Sequence, residues 1–407
     1  MLRNRSLVGL FSAEIVSLTG SAMTVLALPW FVLATTGSTA RMGWVLAARM
    51  APLALFGIPS GQLIARLGAK RAMLVSDAAR GPLLLVIPLL YWSGHLSFPA
   101  LLVATFAMGS FTAPYTASAA LVVPEVVGDD ERLVARAGAI VGTSQQFTQI
   151  FGPVLAGVVI ALTSPATVLV VDAGTFIFSF LTILLTVRAP KRVQQTQESE
   201  GLLAGVRYVF RDALLGRVVI AACVLNAVVQ GLVVGLNTLA YFHYSGNPHV
   251  AGFLFGALGV GALIGAVVAQ QLTKKGDLLK IAALSIVAAS LPIWLLAIAM
   301  PWYAAVLVIG SFAFFLPLVN SPLLAVFTVR TPAELRPKVM TAMITLSTCA
   351  GPLGFIAAGQ ALAHVSVYLV FFVVAAALTV STIPFSLALL RGRAATDLVA
   401  VPDVAHG

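Results

Sequence analysis

The chain has 407 residues, of which 60% are hydrophobic and only 9% are charged, and its mean hydropathy is +1.02. This composition excludes a water-soluble globular domain, whose outward faces require many more polar residues. The net charge of +10 would suit a nucleic-acid-binding protein, but the basic residues lie in short segments between apolar stretches, so we expect no nucleic-acid partner.

About a dozen apolar stretches follow one another, each close to the roughly 20 residues that a helix needs to cross a bilayer. The ten-residue alternation of a membrane β-barrel is missing, so the spans are predicted to be helices. The first stretch is too long for a signal-peptide core and is expected to remain as a helix. In chain order, the predicted spans are 7–34, 42–65, 71–93, 98–123, 136–162, 166–187, 218–243, 250–272, 278–299, 301–329, 339–363 and 366–390.

The basic residues are distributed unequally between the two sides of the membrane. Of 24 Lys and Arg, 21 lie in the termini or in the loops on the same side as the termini. Arg41 alone lies in an opposite-side loop. The positive-inside rule therefore predicts that both termini are cytoplasmic, in a multi-pass protein of a bacterial-type plasma membrane. Cys223 and Cys349 lie within spans and are interpreted as packing residues, not as a disulfide or metal pair.

The longest polar interruption, Arg188 to Arg217, separates six spans from six. Its second part places apolar residues on one helical face and Arg207 and Arg211 on another, which is typical of a helix on the cytoplasmic membrane surface. That apolar face consists of Leu203, Val206, Phe210 and Leu214. We predict four regions: a six-helix bundle over 1–187, a linker with a surface helix over 188–217, a second six-helix bundle over 218–391, and a cytoplasmic tail over 392–407.

The two halves also repeat each other at an offset of about 200 residues. The pair Gly152-Pro153 in span 5 is matched by Gly351-Pro352 in span 11. Proline bends a helix and glycine permits close helix contact. A duplicated six-helix unit predicts a binding site near the midplane between the halves, an arrangement suited to alternating access.

Residues 61–71 (GQLIARLGAKR) resemble the signature Gly-x-Leu-x-Asp-Arg-x-Gly-x-(Lys/Arg)-(Lys/Arg) of the major facilitator superfamily. The Gly-Pro element of span 5 resembles the antiporter motif of that superfamily. The resemblance implies an all-α membrane protein with 12 transmembrane helices in two pseudo-symmetric six-helix bundles. The resemblance also implies a set of positions that take part in gating. They are Gly61, Arg66, Gly68, Lys70, Arg71, Gly152, Pro153, Gly351 and Pro352.

Residues 2–5 (LRNR), residues 46–52 (LAARMAP) and the Asp77-x-x-Arg80 element resemble the macrolide-efflux and siderophore-exporter branch of drug–proton antiporters. Two departures stand out. The acidic residue of the signature, which in the family helps to latch the two halves together, is Ala65 here. Span 4 also lacks the arginine of many drug–proton antiporters, since residues 104–120 contain no basic side chain.

An ionisable residue within a span is costly and is therefore a candidate for function. The candidates all lie in the first half: Glu14, Arg49, Asp77, Arg80 and Asp172. A carboxylate that is buried in one conformation and wetted in another can take up a proton on one side of the membrane and release it on the other. Glu14, Asp77 and Asp172 are carboxylates of this kind. Arg49 and Arg80 are assigned to proton coupling together with them.

Each candidate also has a simpler interpretation. Glu14 either exchanges a proton and attracts a cationic substrate, or stays wet near the interface without a role. Asp77 and Arg80 share a helical face and either neutralise each other or form a proton relay. Arg49 and Asp172 lie at similar depth and are predicted to pair. Alternatively, Arg49 holds an anionic group of the substrate or fixes the pKa of Glu14 or Asp172.

The predicted substrate cavity combines aromatic, Met and neutral polar side chains, which suits a bulky amphipathic molecule. The same side chains are also common in packing. The assigned residues are Met23, Trp30, Phe111, Tyr115, Gln145, Asn226, Gln230, Asn237 and Asn320.

The preferred hypothesis is a proton-coupled exporter of amphipathic drugs or secondary metabolites. The alternatives are an exporter of a native siderophore or lipid, an importer of a small metabolite, and a transport-inactive membrane scaffold or sensor. The sequence contains no nucleophile–base set, metal cluster or phosphate-binding Gly-Lys-Ser/Thr loop, so we predict no enzyme activity, no cofactor and no metal. The expected partners are the substrate, protons and membrane lipids, and the protein is expected to be a monomer.

Overall fold

The computed structural model describes residues 5–127, 131–187, 201–211, 213–272, 278–330 and 336–397. All regular structure in these ranges is helical. The first half contains α1 (Arg5–Thr36), α2 (Thr39–Leu67), α3 (Ala69–Trp92), α4 (Phe98–Ser110), α5 (Thr112–Val127), α6 (Glu131–Leu162) and α7 (Pro165–Thr186). After α8 (Gly201–Arg211), the second half contains α9 (Ala213–Thr238) with a π-helical turn (Leu239–His243), α10 (Pro248–Leu272), α11 (Leu278–Leu295), α12 (Trp302–Arg330), α13 (Arg336–Leu362) and α14 (Val367–Asp397).

The helices agree with the predicted spans, and the predicted all-α fold of two six-helix bundles is confirmed. Nine helical segments of the described residues are long and apolar enough to cross a membrane, and the apolar parts of α11 and α14 are shorter. Span 4 is broken at Phe111 into α4 and α5. The last helix continues to Asp397, seven residues beyond the predicted end of span 12.

The short connections at one end of the bundles are fixed by serine N-caps. The side-chain oxygens of Ser38, Ser97 and Ser164 accept hydrogen bonds from backbone N–H groups three residues later, at the starts of α2, α4 and α7. Ser366 does the same for α14. These caps satisfy donors that a helix start leaves unpaired. We call this end of the molecule the loop side, and the end that carries residue 5 and Asp397 the terminal side.

On the terminal side, α2 passes into α3 through one residue, Gly68, whose φ of +82° lies in the region that favours glycine. The next turn places the Lys70 ammonium at the C-terminal end of α7, where it donates to the carbonyl oxygens of Leu184, at 3.4 Å, and of Val187. A cation at this position meets the negative end of the helix dipole. The basic signature loop therefore ties α3 to α7.

The buried apolar side chains form one shared core on the loop side and two separate cores on the terminal side. The shared core joins both halves, from Met23 and Phe31 in α1 to Phe371 in α14. On the terminal side, one core around Leu10, Met73 and Ile183 belongs to the first half only, and another core around Val219 and Val339 belongs to the second half and α8. Over the described residues, the structure is therefore a state in which the halves are closed on the loop side and separated on the terminal side.

Helix α8 was predicted to lie on the membrane with Val206 and Phe210 on its apolar face. In the structure Phe210 is 55% exposed, whereas the neighbouring Val209 is fully buried in the terminal-side core of the second half. The helix therefore packs against this half through Val209, and the position of its Phe210 side on the membrane surface stays a prediction. The part of the predicted linker over 188–200 lies outside the described residues.

Candidate functional site

The interior of the first half contains a buried ion pair between Asp77 and Arg80, both on α3. An Arg80 Nη donates to Asp77 Oδ1 at 2.5 Å, and the Ser179 hydroxyl on α7 donates to Asp77 Oδ2 at 2.6 Å. Asp77 and Arg80 are 1% and 5% exposed. The pairing that the three-residue spacing predicted is therefore formed, and it is held from a second helix.

Two aromatic rings cover the Arg80 guanidinium. Its central carbon lies 3.9 Å from the ring centroid of Tyr115 on α5 and 4.4 Å from that of Phe176 on α7. Both distances are within the range of cation–π attraction, which is strongest where water is excluded. Arg80 thus fastens α3, α5 and α7 together at one point.

Asp172 on α7 accepts hydrogen bonds from hydroxyl groups and not from an arginine. The Thr24 hydroxyl on α1 donates to Asp172 Oδ2 at 2.5 Å, and the Thr175 hydroxyl donates to Oδ1 at 3.0 Å. The predicted pair with Arg49 is not formed as a direct contact, since no ion pair joins these two described residues.

Glu14 on α1 differs from the other two carboxylates. Its side chain is 5% exposed, yet it has no hydrogen-bond or salt-bridge partner among the residues that the structure describes. Glu14 is therefore a buried residue whose carboxyl group is held by no hydrogen bond from the described residues.

These groups lie at different depths within the first half. At 1.5 Å per residue, Glu14 and Asp77 lie about 12–14 Å from the terminal-side ends of their helices, and Asp172 lies about 10 Å from the loop-side end of α7. Arg80 and Arg49 lie between these levels. Three buried atoms in this region lack a partner: Arg80 Nε, Tyr115 Oη and Ser118 Oγ.

The seam between the halves is lined by neutral side chains. The Gln230 amide on α9 donates to the Met50 sulfur on α2 at 3.1 Å, and Trp30 meets Tyr241 edge to face at 5.2 Å. The Oδ1 atom of Asn226 is buried without a partner. Gln230, Trp30 and Asn226 were predicted cavity residues, and the structure places them at or beside the seam.

The other predicted cavity residues are dispersed. Met23 is part of the shared core, and Asn237 is fully buried with its amide donating to Val233 O at 2.9 Å. Tyr115 is buried inside the first half with its ring on the Arg80 guanidinium. Phe111 is half-buried at the break between α4 and α5, whereas Gln145 and Asn320 are exposed toward the terminal side.

The Gly-Pro elements lie where helices approach closely. A Cβ at Gly152 would overlap Ala22 on α1, and a Cβ at Gly351 would overlap Met50 across the seam. Pro153 and Pro352 lie within α6 and α13. In the signature loop, Arg66 and Arg71 are exposed. Gly68 forms the turn between α2 and α3, and Lys70 donates to the end of α7. The environment of Gly61 is not among the described features.

Sequence reasoning missed the neutral partners of the charges, which are Thr24, Thr175, Phe176 and Ser179. One signal was available, because Asp172, Phe176 and Ser179 are spaced by four and three residues and so share one face of α7. The described residues contain no group of three His, Cys, Asp or Glu side chains that would hold a metal ion.

Comparison with known proteins agrees with this architecture. Residues 10–355 match the sequence profile of the Major Facilitator Superfamily. The multidrug efflux pump Tap of Mycobacterium tuberculosis (strain ATCC 25618 / H37Rv) is 26% identical over 368 residues, which cover 85% of this chain and 84% of Tap. Tap of Mycolicibacterium fortuitum is 25% identical over 359 residues, which cover 84% and 85%.

Two solved structures share the fold. The nucleoside transporter NupG superposes with a TM-score of 0.80 at 15% identity, covering 95% of this chain and 99% of NupG. A bacterial homolog of the human lysosomal transporter Spinster, in an inward-facing and unoccupied conformation, superposes with a TM-score of 0.68 at 14% identity, covering 96% and 95%. Because the profile match extends over most of its length, the chain belongs to the Major Facilitator Superfamily.

Proposed function

We propose that this transporter exports amphipathic drugs or secondary metabolites and is driven by a proton gradient. The support for the substrate class is the likeness to Tap and the neutral, partly aromatic seam between the halves. A surface of this kind retains an apolar molecule by burial, and a few polar groups fix its orientation.

The observation that carries the proton-coupling proposal is the contrast between the three buried carboxylates. Asp77 and Asp172 already accept hydrogen bonds from Arg80, Ser179, Thr24 and Thr175. Glu14 is buried without such partners, and an isolated carboxylate is costly to keep charged in a low dielectric. Glu14 is thus the carboxyl group that exchanges a proton when the halves move, while Asp77–Arg80 and Asp172 hold the helices around it.

The test uses purified protein in liposomes with an imposed pH gradient and ethidium, an amphipathic cation, as the probe. We expect Glu14→Gln to abolish gradient-driven transport while the protein remains folded. The matched control is Glu125→Gln, because Glu125 is half-buried beyond the end of the apolar segment Phe98–Val123. We expect this control to transport at the rate of the unmodified protein.

Two results would count against the proposal. Undiminished transport by Glu14→Gln would remove Glu14 from the coupling mechanism. If the unmodified protein moved neither ethidium nor other amphipathic cations under a gradient of either sign, the assignment to drug export would be wrong.

A further inference from the structure

A groove with a volume of about 720 Å³ lies between α6 of the first half and α10 and α12 of the second half. Its rims consist of exposed apolar side chains, among them Val260, Ile264 and Leu307, which are 44%, 52% and 70% exposed. In a membrane protein such a surface faces the hydrocarbon. We therefore expect the groove to open sideways into the bilayer.

The length and position of the groove match one leaflet. It extends along α10 from Phe253 to Ile264, about 16 Å at 1.5 Å per residue, and half of a typical hydrocarbon core is about 15 Å. At its loop-side end Trp302 stacks on Phe253, with ring centroids 5.9 Å apart. Tryptophan is enriched at the membrane–water interface. The groove thus begins at the headgroup level of the loop-side leaflet and ends near the midplane.

The lining contains no charged side chain, and glycine keeps its floor open. A Cβ at Gly310 would make only ordinary van der Waals contacts with Ala257, at 3.7 and 3.8 Å, so no close contact blocks this position. Gly256 lies opposite Val154 of the first half. Because Ile150 and Val154 complete the wall, the groove continues the interface between α6 and α10, and it exists in this form only while the halves are closed on the loop side.

We propose that this groove binds one acyl chain of a phospholipid from the loop-side leaflet, and that the bound chain stabilises the state closed on that side. A long apolar chain anchored at the interface fits the length, the apolar lining and the sideways opening together. The chain contacts both halves, so its contacts with α6 are lost when the halves separate there.

The experiment uses the full chain in vesicles of phosphatidylethanolamine and phosphatidylglycerol with a trace of phosphatidylglycerol that carries a diazirine at mid-chain. After illumination, we expect adducts to concentrate in residues 253–264 and 302–315, and native mass spectrometry to show one retained phospholipid. Gly310→Leu fills the groove and is expected to reduce both signals about tenfold. Gly174→Leu on α7 is the matched control, because Gly174 is exposed and a Cβ there meets nothing within 4 Å.

The proposal would be overturned if adducts were spread equally over other exposed positions, such as Val103 on α4 and Leu284 on α11. Unchanged labelling of Gly310→Leu would also overturn it. If Gly310→Leu does not fold, Val306→Phe narrows the same groove from α12 and is expected to have the same effect. Neither readout depends on proton coupling or on the transported substrate.

Discussion

The Arg80 guanidinium contacts the Asp77 carboxylate at 2.5 Å while the rings of Tyr115 and Phe176 cover its faces. Breaking a buried ion pair leaves an uncompensated charge, which typically costs about 3–5 kcal/mol. We therefore expect Asp77→Asn and Arg80→Gln each to lower the thermal unfolding temperature in detergent strongly, and the double variant to be less destabilised than the sum of the two. The measurement is a double-mutant cycle by thermal unfolding.

Arg80→Lys separates charge from shape at the same position. A lysine keeps the charge but lacks the planar group that stacks between two rings. We expect this variant to be less stable than the unmodified protein and more stable than Arg80→Gln. Equal stability of Arg80→Lys and the unmodified protein would show that the rings contribute nothing.

The hydrogen bond from Thr24 to Asp172 joins α1 to α7 at 2.5 Å. Thr24→Val keeps the shape of the side chain but removes the donor, and a hydrogen bond to a charged group contributes about 1.5–3 kcal/mol. We expect a corresponding loss of thermal stability and recovery in Thr24→Ser. If valine and serine behaved alike, the hydrogen bond from Thr24 would not contribute to stability.

The halves approach closely where Gly43 on α2 faces α13. A Cβ at Gly43 would lie 2.5 Å from the Phe355 carbonyl oxygen and 3.1 Å from Gly359 Cα, both backbone atoms that cannot move aside. We expect Gly43→Leu to disfavour the state closed on the loop side and to lower the transport rate about tenfold.

Gly57→Leu is the control for Gly43→Leu. It lies on the same helix, but a Cβ there meets nothing within 4 Å. We expect a transport rate close to that of the unmodified protein. Equal losses in the two variants would point to an effect on α2 itself and not on its contact with the second half.

The predicted orientation of the termini is tested by labelling with a maleimide that does not cross membranes. In a background of Cys223→Ser and Cys349→Ser, His95→Cys on the loop side and Arg71→Cys on the terminal side are both exposed. The positive-inside rule predicts that intact cells label residue 95, and that residue 71 reacts only after the membrane is permeabilised. The opposite pattern would reverse the assignment.

The helices and the Asp77–Arg80 pair were predictable because their signals are local. Hydropathy over some 20 residues defines a span, and a spacing of three residues places two side chains on one helical face. The partners of Asp172 were not predictable in this way. Thr24 lies 148 residues away, and nothing in the sequence near either residue indicates that a threonine takes the place that Arg49 was expected to fill.

The conformational state could likewise not be predicted from the sequence. The same apolar residues serve every state of an alternating-access transporter, and their pattern does not indicate which side is closed. Only the packing shows that Trp30 and Tyr241 share a core while Leu10 and Val219 belong to separate ones.

Because of the shared loop-side core, opening the halves on the loop side costs more free energy than opening them on the terminal side. Release of a substrate on the loop side requires the halves to separate through a contiguous apolar core that includes Trp30 and Phe312. Exposing this core to water costs about 25 cal/mol for each Å² of apolar surface. A bound amphipathic molecule would cover part of this surface while the halves separate. The substrate-bound protein would therefore open on the loop side more readily than the empty protein. Hydrophobicity of the cargo would then set turnover as well as affinity.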